Sequence, residues 1–114
     1  MHELHIAQNI LDNAVTHCLQ SGCSLIESVT VELGLASGVT SEGLSLAFDA
    51  VKVGTIAETS TLITEKVTPQ CVCKHCAKTF EPVDRFVLIC PVCNSTDVSA
   101  TKGFELHLLY VEAV

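Results

Sequence analysis

Two Cys-x-x-Cys pairs constrain this chain more than any other feature of its sequence. Cys73 and Cys76 form the first pair, Cys90 and Cys93 form the second, and thirteen residues separate the two pairs. Each pair suits a tight turn that brings two sulfur atoms to one point, and four thiolates favour a closed, tetrahedral zinc site. The spacing therefore predicts a zinc-binding module within residues 70–101. Iron, held as in rubredoxin-like electron carriers, is the alternative metal.

A fifth cysteine leaves the first pair open to two registers, because Cys71 turns it into a Cys-x-Cys-x-x-Cys run. We predict that Cys73 is the ligand, since the two-residue spacing to Cys76 makes the better metal-binding turn. Asn94, directly after the second pair, tolerates the left-handed backbone conformation that such a turn needs. His75 lies inside the first pair, and we expect it to be solvated and not a ligand.

The composition favours a small aliphatic core in a cytoplasmic protein. The chain has 114 residues, a hydrophobic fraction of 48%, no Trp, four Phe and one Tyr. Short chains bury a small share of their surface, so a metal that joins distant residues adds needed stability. We find no apolar run of membrane-spanning length and no basic segment typical of a signal peptide. Cytoplasmic thiols stay reduced, so the paired cysteines indicate metal ligands and not disulfides.

The charge of the chain argues against a nucleic-acid partner. Six basic and thirteen acidic side chains give a formal net charge of −7, and the basic residues form no cluster in the sequence. DNA or RNA would be repelled, whereas cations and basic protein surfaces would be attracted. A zinc ribbon that binds nucleic acid is therefore disfavoured. A redox module that uses its Cys-x-x-Cys pairs is the other class of protein to consider.

Periodicity predicts two helices and three strands outside the cysteine-rich segment. Residues 4–20 carry an apolar stripe with helical spacing, which begins at Leu4 and is followed by Gly22 as a stop. A second helix is capped by Thr40 or Ser41 and ended by Gly54. Residues 25–35, 57–67 and 103–112 favour strands. In the first strand Val29, Val31, Leu33 and Leu35 share one face, and in the last strand Phe104, Leu106, Leu108 and Tyr110 do so.

These elements predict an α+β fold with two helices packed on a small three-stranded mixed sheet. The last strand must pair with the first part of the chain, so the zinc ribbon-like module is an insertion between two strands of one sheet. We expect one domain from residues 1–69 plus 102–114 and a module from residues 70–101.

A second metal site is indicated at the start of the sequence, which reads Met1-His2-Glu3. The α-amine of Met1, backbone nitrogens, the His2 imidazole and the Glu3 carboxylate provide the mixed nitrogen and oxygen donors that suit Ni(II) or Cu(II). His5, one helical turn further on, is an additional donor. The alternative interpretation is a polar helix start in which Glu3 interacts favourably with the helix dipole.

Four motifs in a fixed order resemble one protein family. They are Met1-His2-Glu3 before a helix, Val31-Glu32-Leu33-Gly34 in a strand, Leu44-x-x-Ala47-Phe48 followed by Gly54-Thr55, and the cysteine insert followed by Gly103-Phe104-Glu105-Leu106. Over nearly the whole chain this order is similar to that of the nickel metallochaperone family HypA/HybF. The chain departs from many members at Ser41-Glu42, where they have Pro-Glu. It also departs at Ala77 and Asn94, where some members have His.

The resemblance implies a function and a set of site residues. In that family the N-terminal motif binds Ni(II) and the four-cysteine insert binds Zn(II). The proteins assist nickel insertion into the large subunit of [NiFe]-hydrogenase together with the GTPase HypB, and in some organisms they also serve urease maturation. By position, His2 and Glu3 with the Met1 amine correspond to the nickel site, and Cys73, Cys76, Cys90 and Cys93 to the zinc site. The resemblance implies no catalytic residue, and a homodimer is compatible with it.

Overall fold

The structure is a computed structural model that describes residues 2–83 and 86–114. Within those residues it has two helices, α1 (His2–Gln20) and α2 (Ser41–Val51). The strands are β1 (Ile26–Gly34), β2 (Thr61–Val67), β3 (Gln70–Cys73), β4 (Thr79–Phe80), β5 (Val98–Lys102) and β6 (Leu106–Ala113). They form one sheet of order β2-β1-β6 and a second of order β4-β3-β5. The predicted α+β fold is confirmed.

Helix α1 buries one apolar stripe and ends in a Schellman motif. The buried members of the stripe are Ala7, Ile10, Leu11, Ala14 and Cys18. At the end of the helix Gly22 has a φ of +81°, and its N–H donates to the Leu19 carbonyl at 3.2 Å. The Cys23 N–H donates to the Cys18 carbonyl at 2.9 Å, which completes the motif. The predicted stop at Gly22 is therefore confirmed, whereas Leu4 is 45% exposed and lies outside the stripe.

Strand β1 supplies much of the aliphatic core. Val29, Val31 and Leu33 are buried as predicted. The prediction for Leu35 is wrong, because β1 ends at Gly34 and Leu35 is 53% exposed in the turn that follows. A Cβ atom at Gly34 would lie 2.5 Å from the carbonyl carbon of Gly103, so only glycine fits at this close approach of two backbones.

Helix α2 is fixed at both ends by side chains. Thr40 is its N-cap, and the Thr40 Oγ1 accepts a hydrogen bond from the Gly43 N–H at 3.0 Å. Leu44, Ala47 and Phe48 are its buried residues. After the helix, Lys52 Nζ donates to the Ser60 carbonyl at 2.8 Å. Gly54 has the expected positive φ of +79°, but it lies in the turn beyond the helix end and does not itself cap it.

The strands β2 and β6 both begin later than predicted. Residues before β2 form turn hydrogen bonds, in which Glu58 N–H donates to the Thr55 carbonyl at 3.1 Å and Ser60 Oγ donates to the Ala57 carbonyl at 2.6 Å. Strand β6 starts at Leu106. Within it Leu106 and Leu108 are half-buried, whereas Tyr110 is 53% exposed.

Backbone hydrogen bonds give the strand directions. Leu25 pairs with Val114 and Gly34 N–H donates to Glu105, so β1 and β6 are antiparallel. Ile26 N–H donates to Ile56 and Leu35 N–H to Val67, so β1 and β2 run in the same direction. The sheet is mixed, as predicted. Strands β3, β4 and β5 lie between β2 and β6 in the sequence, which confirms that the cysteine-rich segment is an insertion between two strands of one sheet.

The chain divides into two compact units. The first comprises Met1–Glu32, Val39–Glu65 and His107–Val114, and the second Leu33–Gly38 and Lys66–Leu106. Within the second unit the two ends of the insertion meet, because a Cβ atom at Gly103 would lie 2.3 Å from the Pro69 Cα. In the part of the chain that the structure describes, neither helix is both long and apolar enough to cross a membrane.

Candidate metal centre

The two cysteine pairs lie in turns with the same backbone hydrogen bonds. In the first turn the Cys73 N–H donates to the Lys78 carbonyl at 2.8 Å, and the Ala77 N–H donates to the Cys73 carbonyl at 2.9 Å. In the second turn the Cys90 N–H donates to the Ser95 carbonyl at 3.0 Å, and the Asn94 N–H donates to the Cys90 carbonyl at 2.9 Å. The two turns therefore present their cysteines in equivalent ways.

Both turns contain a residue in the left-handed backbone conformation directly after the second cysteine. Ala77 has a φ of 64° and Asn94 a φ of 61°. The prediction for Asn94 is confirmed, since a short polar side chain tolerates this region. Nothing in the sequence identifies Ala77 as its counterpart, apart from its equal position after a Cys-x-x-Cys pair.

The four sulfur atoms converge on one point. The Sγ atoms of Cys73, Cys76, Cys90 and Cys93 all lie within 4.8 Å of one another. The distance between the Cys73 and Cys93 sulfurs is 3.6 Å, and that between the Cys76 and Cys90 sulfurs is also 3.6 Å. A tetrahedron with Zn–S bonds of about 2.3 Å has sulfur atoms roughly 3.8 Å apart, whereas a disulfide has about 2.05 Å. The arrangement fits a metal cage and not a pair of disulfides.

The first cysteine of each turn is the more acidic. The backbone N–H of Cys76 points at the Cys73 sulfur at 3.5 Å and lowers the pKa of the Cys73 thiol. In the second turn the backbone N–H groups of Cys93 and Val92 lower the pKa of Cys90 to about 6. Both thiols are buried, so these N–H groups favour thiolates at the side of the cluster that water reaches least.

The second cysteine of each turn has a raised pKa, which favours its neutral thiol form. The backbone N–H of Ser95 acts to lower the pKa of Cys93, but burial and the neighbouring thiols raise it to about 12. The pKa of Cys76 is raised for the same reasons, against the effect of the Lys78 N–H. A divalent cation at the centre would neutralise the crowded sulfurs and favour the thiolate at every position. The donor set therefore suits a soft, tetrahedral cation such as zinc.

Cys71 and His75 lie outside this cluster. Cys71 is fully buried in β3, opposite Phe80 of β4 and Ala100 of β5, and burial raises the pKa of its thiol. His75 is exposed and does not belong to the group of four potential ligands. The structure thus brings Cys73 and not Cys71 into the cluster, and zinc binding by these four cysteines stays a prediction.

The N-terminal site lies at the first turn of α1, which begins at His2. The Met1 amine lies outside the described residues. Glu3 is half-buried and lies against α2, since a Cβ atom at Gly43 would be 3.3 Å from the Glu3 Cγ. His5 is exposed on the same helix. The nickel ligand set stays a prediction.

Charge is unevenly divided between the two units. The first unit contains one basic side chain, Lys52, against nine acidic ones, which is a net charge of −8. The second unit contains five basic and four acidic side chains, a net charge of +1 before any thiolate is counted. Lys52 forms an ion pair with Asp49 at 2.9 Å, so its charge is partly neutralised. The unit that contains the start of the chain is therefore strongly acidic.

Comparison with known proteins assigns the class. The HypA family, described as hydrogenase/urease nickel incorporation, metallochaperone, matches residues 1–113. The chain is 36% identical to hydrogenase maturation factor HypA of Picosynechococcus sp. and 29% identical to that of Rhizobium leguminosarum, each over 114 residues and all of both chains. Its fold is similar to the solution structure of the Ni metallochaperone HypA from Helicobacter pylori, with a TM-score of 0.74 and 23% identity over 98% of this chain and 97% of that one.

The two relatives match over the whole chain, and the structural similarity covers 98% of it. They define a metallochaperone class that serves hydrogenase maturation. This chain belongs to the HypA family.

Proposed function

We propose that this chain binds Ni(II) at its start, through His2, Glu3 and the Met1 amine, and helps to insert it into [NiFe]-hydrogenase. The observation that carries the proposal is the family match over residues 1–113, which includes the Met1-His2-Glu3 motif. In this proposal the four-cysteine cluster holds a structural zinc ion, and the protein carries nickel without catalysing a reaction.

The start of α1 suits the chemistry of a nickel carrier. The first four N–H groups of a helix have no partner within the helix, so the peptide nitrogens of His2 and Glu3 can release their protons to solvent and bind the metal. Ni(II) favours such nitrogen donors in a square-planar or tetragonal set, completed by an imidazole and a carboxylate. Nitrogen and oxygen donors hold the ion less tightly than a cage of four thiolates would, which favours release of the cargo.

The charge distribution supports the same role. A net charge of −8 in the first unit raises the local concentration of divalent cations around the N-terminal motif. The zinc in the second unit is held by four thiolates with no open position, so the two metals do not compete for one site. The same acidic unit favours binding to basic protein surfaces. We propose the GTPase HypB and the hydrogenase large subunit as cytoplasmic partners.

The proposal is tested by His2→Ala. We expect this variant to lose nickel binding in titration calorimetry while it keeps its zinc and its circular dichroism spectrum, because it removes the imidazole donor and leaves the four cysteines unchanged. His17→Ala, which removes an exposed histidine from the same helix, is the matched control and should bind nickel like the wild type. Equal nickel affinity in wild type and His2→Ala would refute the proposal.

The same samples identify the metal in the cysteine cluster. Colourless protein with one zinc per chain supports a structural zinc site. Red protein that contains iron would instead support the rubredoxin-like alternative.

A further inference from the structure

Gly43 leaves a space in the first turn of α2 that two other side chains occupy. A Cβ atom at Gly43 would lie 2.9 Å from Thr40 Oγ1, 3.3 Å from Glu3 Cγ and 3.7 Å from Glu3 Cδ. The first two distances are shorter than ordinary contacts of a Cβ atom. A side chain at position 43 would therefore displace the Thr40 cap, the Glu3 side chain or both.

The backbone of Gly43 does not itself require glycine. Its φ lies outside the left-handed range, so other residues can adopt the same conformation. Glycine within a helix is less favourable than alanine by about 1 kcal/mol. The close approach of Glu3 and Thr40 is thus the structural reason for glycine at this position.

The Glu3 side chain is partly enclosed, although it lies at the start of a helix. Glu3 lies in the first turn of α1, next to the start of the chain, and it is half-buried against the first turn of α2. The positive end of the α2 dipole favours a carboxylate there. The Gly43 N–H already donates a hydrogen bond to Thr40 Oγ1 at 3.0 Å. The Thr40 hydroxyl and the Glu3 Cγ therefore both lie next to Gly43.

We propose that Gly43 is a positioning residue for the nickel site: it leaves the space that holds Glu3 beside the start of α1 before the metal arrives. The inference rests on the proposed function of Glu3 as a nickel ligand. A ligand that is already held in place loses less conformational freedom when it binds, so the affinity is higher. Gly43 touches no metal and acts only through Glu3.

The test is Gly43→Ala, measured as nickel affinity by calorimetry on zinc-loaded protein. We expect a three- to tenfold weaker Kd, roughly the factor that fixing one side chain in advance provides. The absorption spectrum of bound nickel should also change, because the position of the carboxylate in the ligand set changes. A purely structural role of Gly43 would alter thermal stability but not this spectrum.

Three further variants test whether the effect of Gly43→Ala acts through Glu3. Ser45→Ala raises the helix propensity of α2 and adds no heavy atom, so it should leave nickel affinity unchanged. In a Thr40→Gly background the clash with the cap is absent, so a loss of affinity on Gly43→Ala that persists there comes from Glu3. In a Glu3→Gln background, Gly43→Ala should cause no further loss of nickel affinity.

A measurement on the wild type does not depend on any variant folding. Nuclear Overhauser contacts between the Gly43 α protons and the Glu3 γ protons are expected in metal-free protein. Their absence, or an unchanged Kd and nickel spectrum in folded Gly43→Ala, would overturn the inference. Failure of the proposed function looks different, because the wild type and His2→Ala would then bind nickel equally well.

Discussion

At the scale of single residues, the cysteine turns show what can and cannot be predicted from the sequence. The spacing of Cys73 to Cys76 and of Cys90 to Cys93 is sufficient to predict four converging sulfurs, because a Cys-x-x-Cys turn is a local structure. The left-handed Ala77 is not predictable from its residue type, since a left-handed backbone costs alanine roughly 1–2 kcal/mol. Its conformation is set by the turn, whose hydrogen bonds match those around Asn94.

The choice between Cys71 and Cys73 gives a prediction at this scale. Cys73→Ser should lose the bound zinc and destabilise the cysteine-rich module, because metal binding and folding are coupled. Cys71→Ser should keep one zinc per chain and lose only about 1–3 kcal/mol of stability, since it places a hydroxyl at a fully buried apolar position. Elemental analysis and thermal unfolding measure both quantities. If Cys71→Ser loses zinc and Cys73→Ser keeps it, the ligand register is Cys71 and not Cys73.

At the scale of elements, the helices are easier to predict than the ends of the strands. Gly22 and Thr40 mark helix ends through chemistry within a few residues, and the structure places both as expected. The starts of β2 and β6 depend on contacts that the alternation of residues does not encode. Hydrogen bonds of Thr55 and Ser60 hold the segment before β2 in turns, although its residues favour a strand.

The end of α1 gives a prediction for this scale. Gly22 has a φ of +81° and a Cβ atom there would contact nothing within 4 Å, so its replacement tests backbone conformation alone. Gly22→Ala should lower the free energy of unfolding by ~1 kcal/mol, and Gly22→Asn by less, because asparagine tolerates the left-handed region. Urea unfolding monitored by circular dichroism measures the change.

Gly54 is a matched comparison for Gly22. It has a φ of +79° and equally open surroundings, so Gly54→Ala should cost about the same. A stability of Gly22→Ala equal to that of the wild type would show that the Schellman motif does not restrain the helix end.

At the scale of the whole molecule, the sequence motifs predict the architecture better than periodicity does. Gly34 and Gly103 belong to two of the motifs shared with the family, and the structure shows why both are glycine, since their backbones meet at the exit from the sheet. That crossing joins residues far apart in the chain, so it is not predictable from local patterns. The division into a nickel-binding domain and a zinc-binding module stays a prediction.

Removal of the metal gives a prediction for the whole molecule. Zinc bound by four thiolates contributes on the order of 10 kcal/mol to folding, more than the few buried residues of a module this small supply. Stripping zinc with a chelator should unfold residues 70–101 and leave the helices and the β2-β1-β6 sheet folded. Amide hydrogen exchange read by nuclear magnetic resonance measures this residue by residue. Equal loss of protection in α1 would mean that the whole chain folds as one cooperative structure.

The contact of Pro69 with Gly103 means that the polypeptide leaves the β2-β1-β6 sheet and returns to it at nearly the same place. The length of a segment attached in this way is only weakly constrained, because neither attachment point has to move when residues are gained or lost between them. In evolution, one recombination event at this position could lengthen, shorten or exchange the metal-binding insert while the sheet around it keeps its pairing.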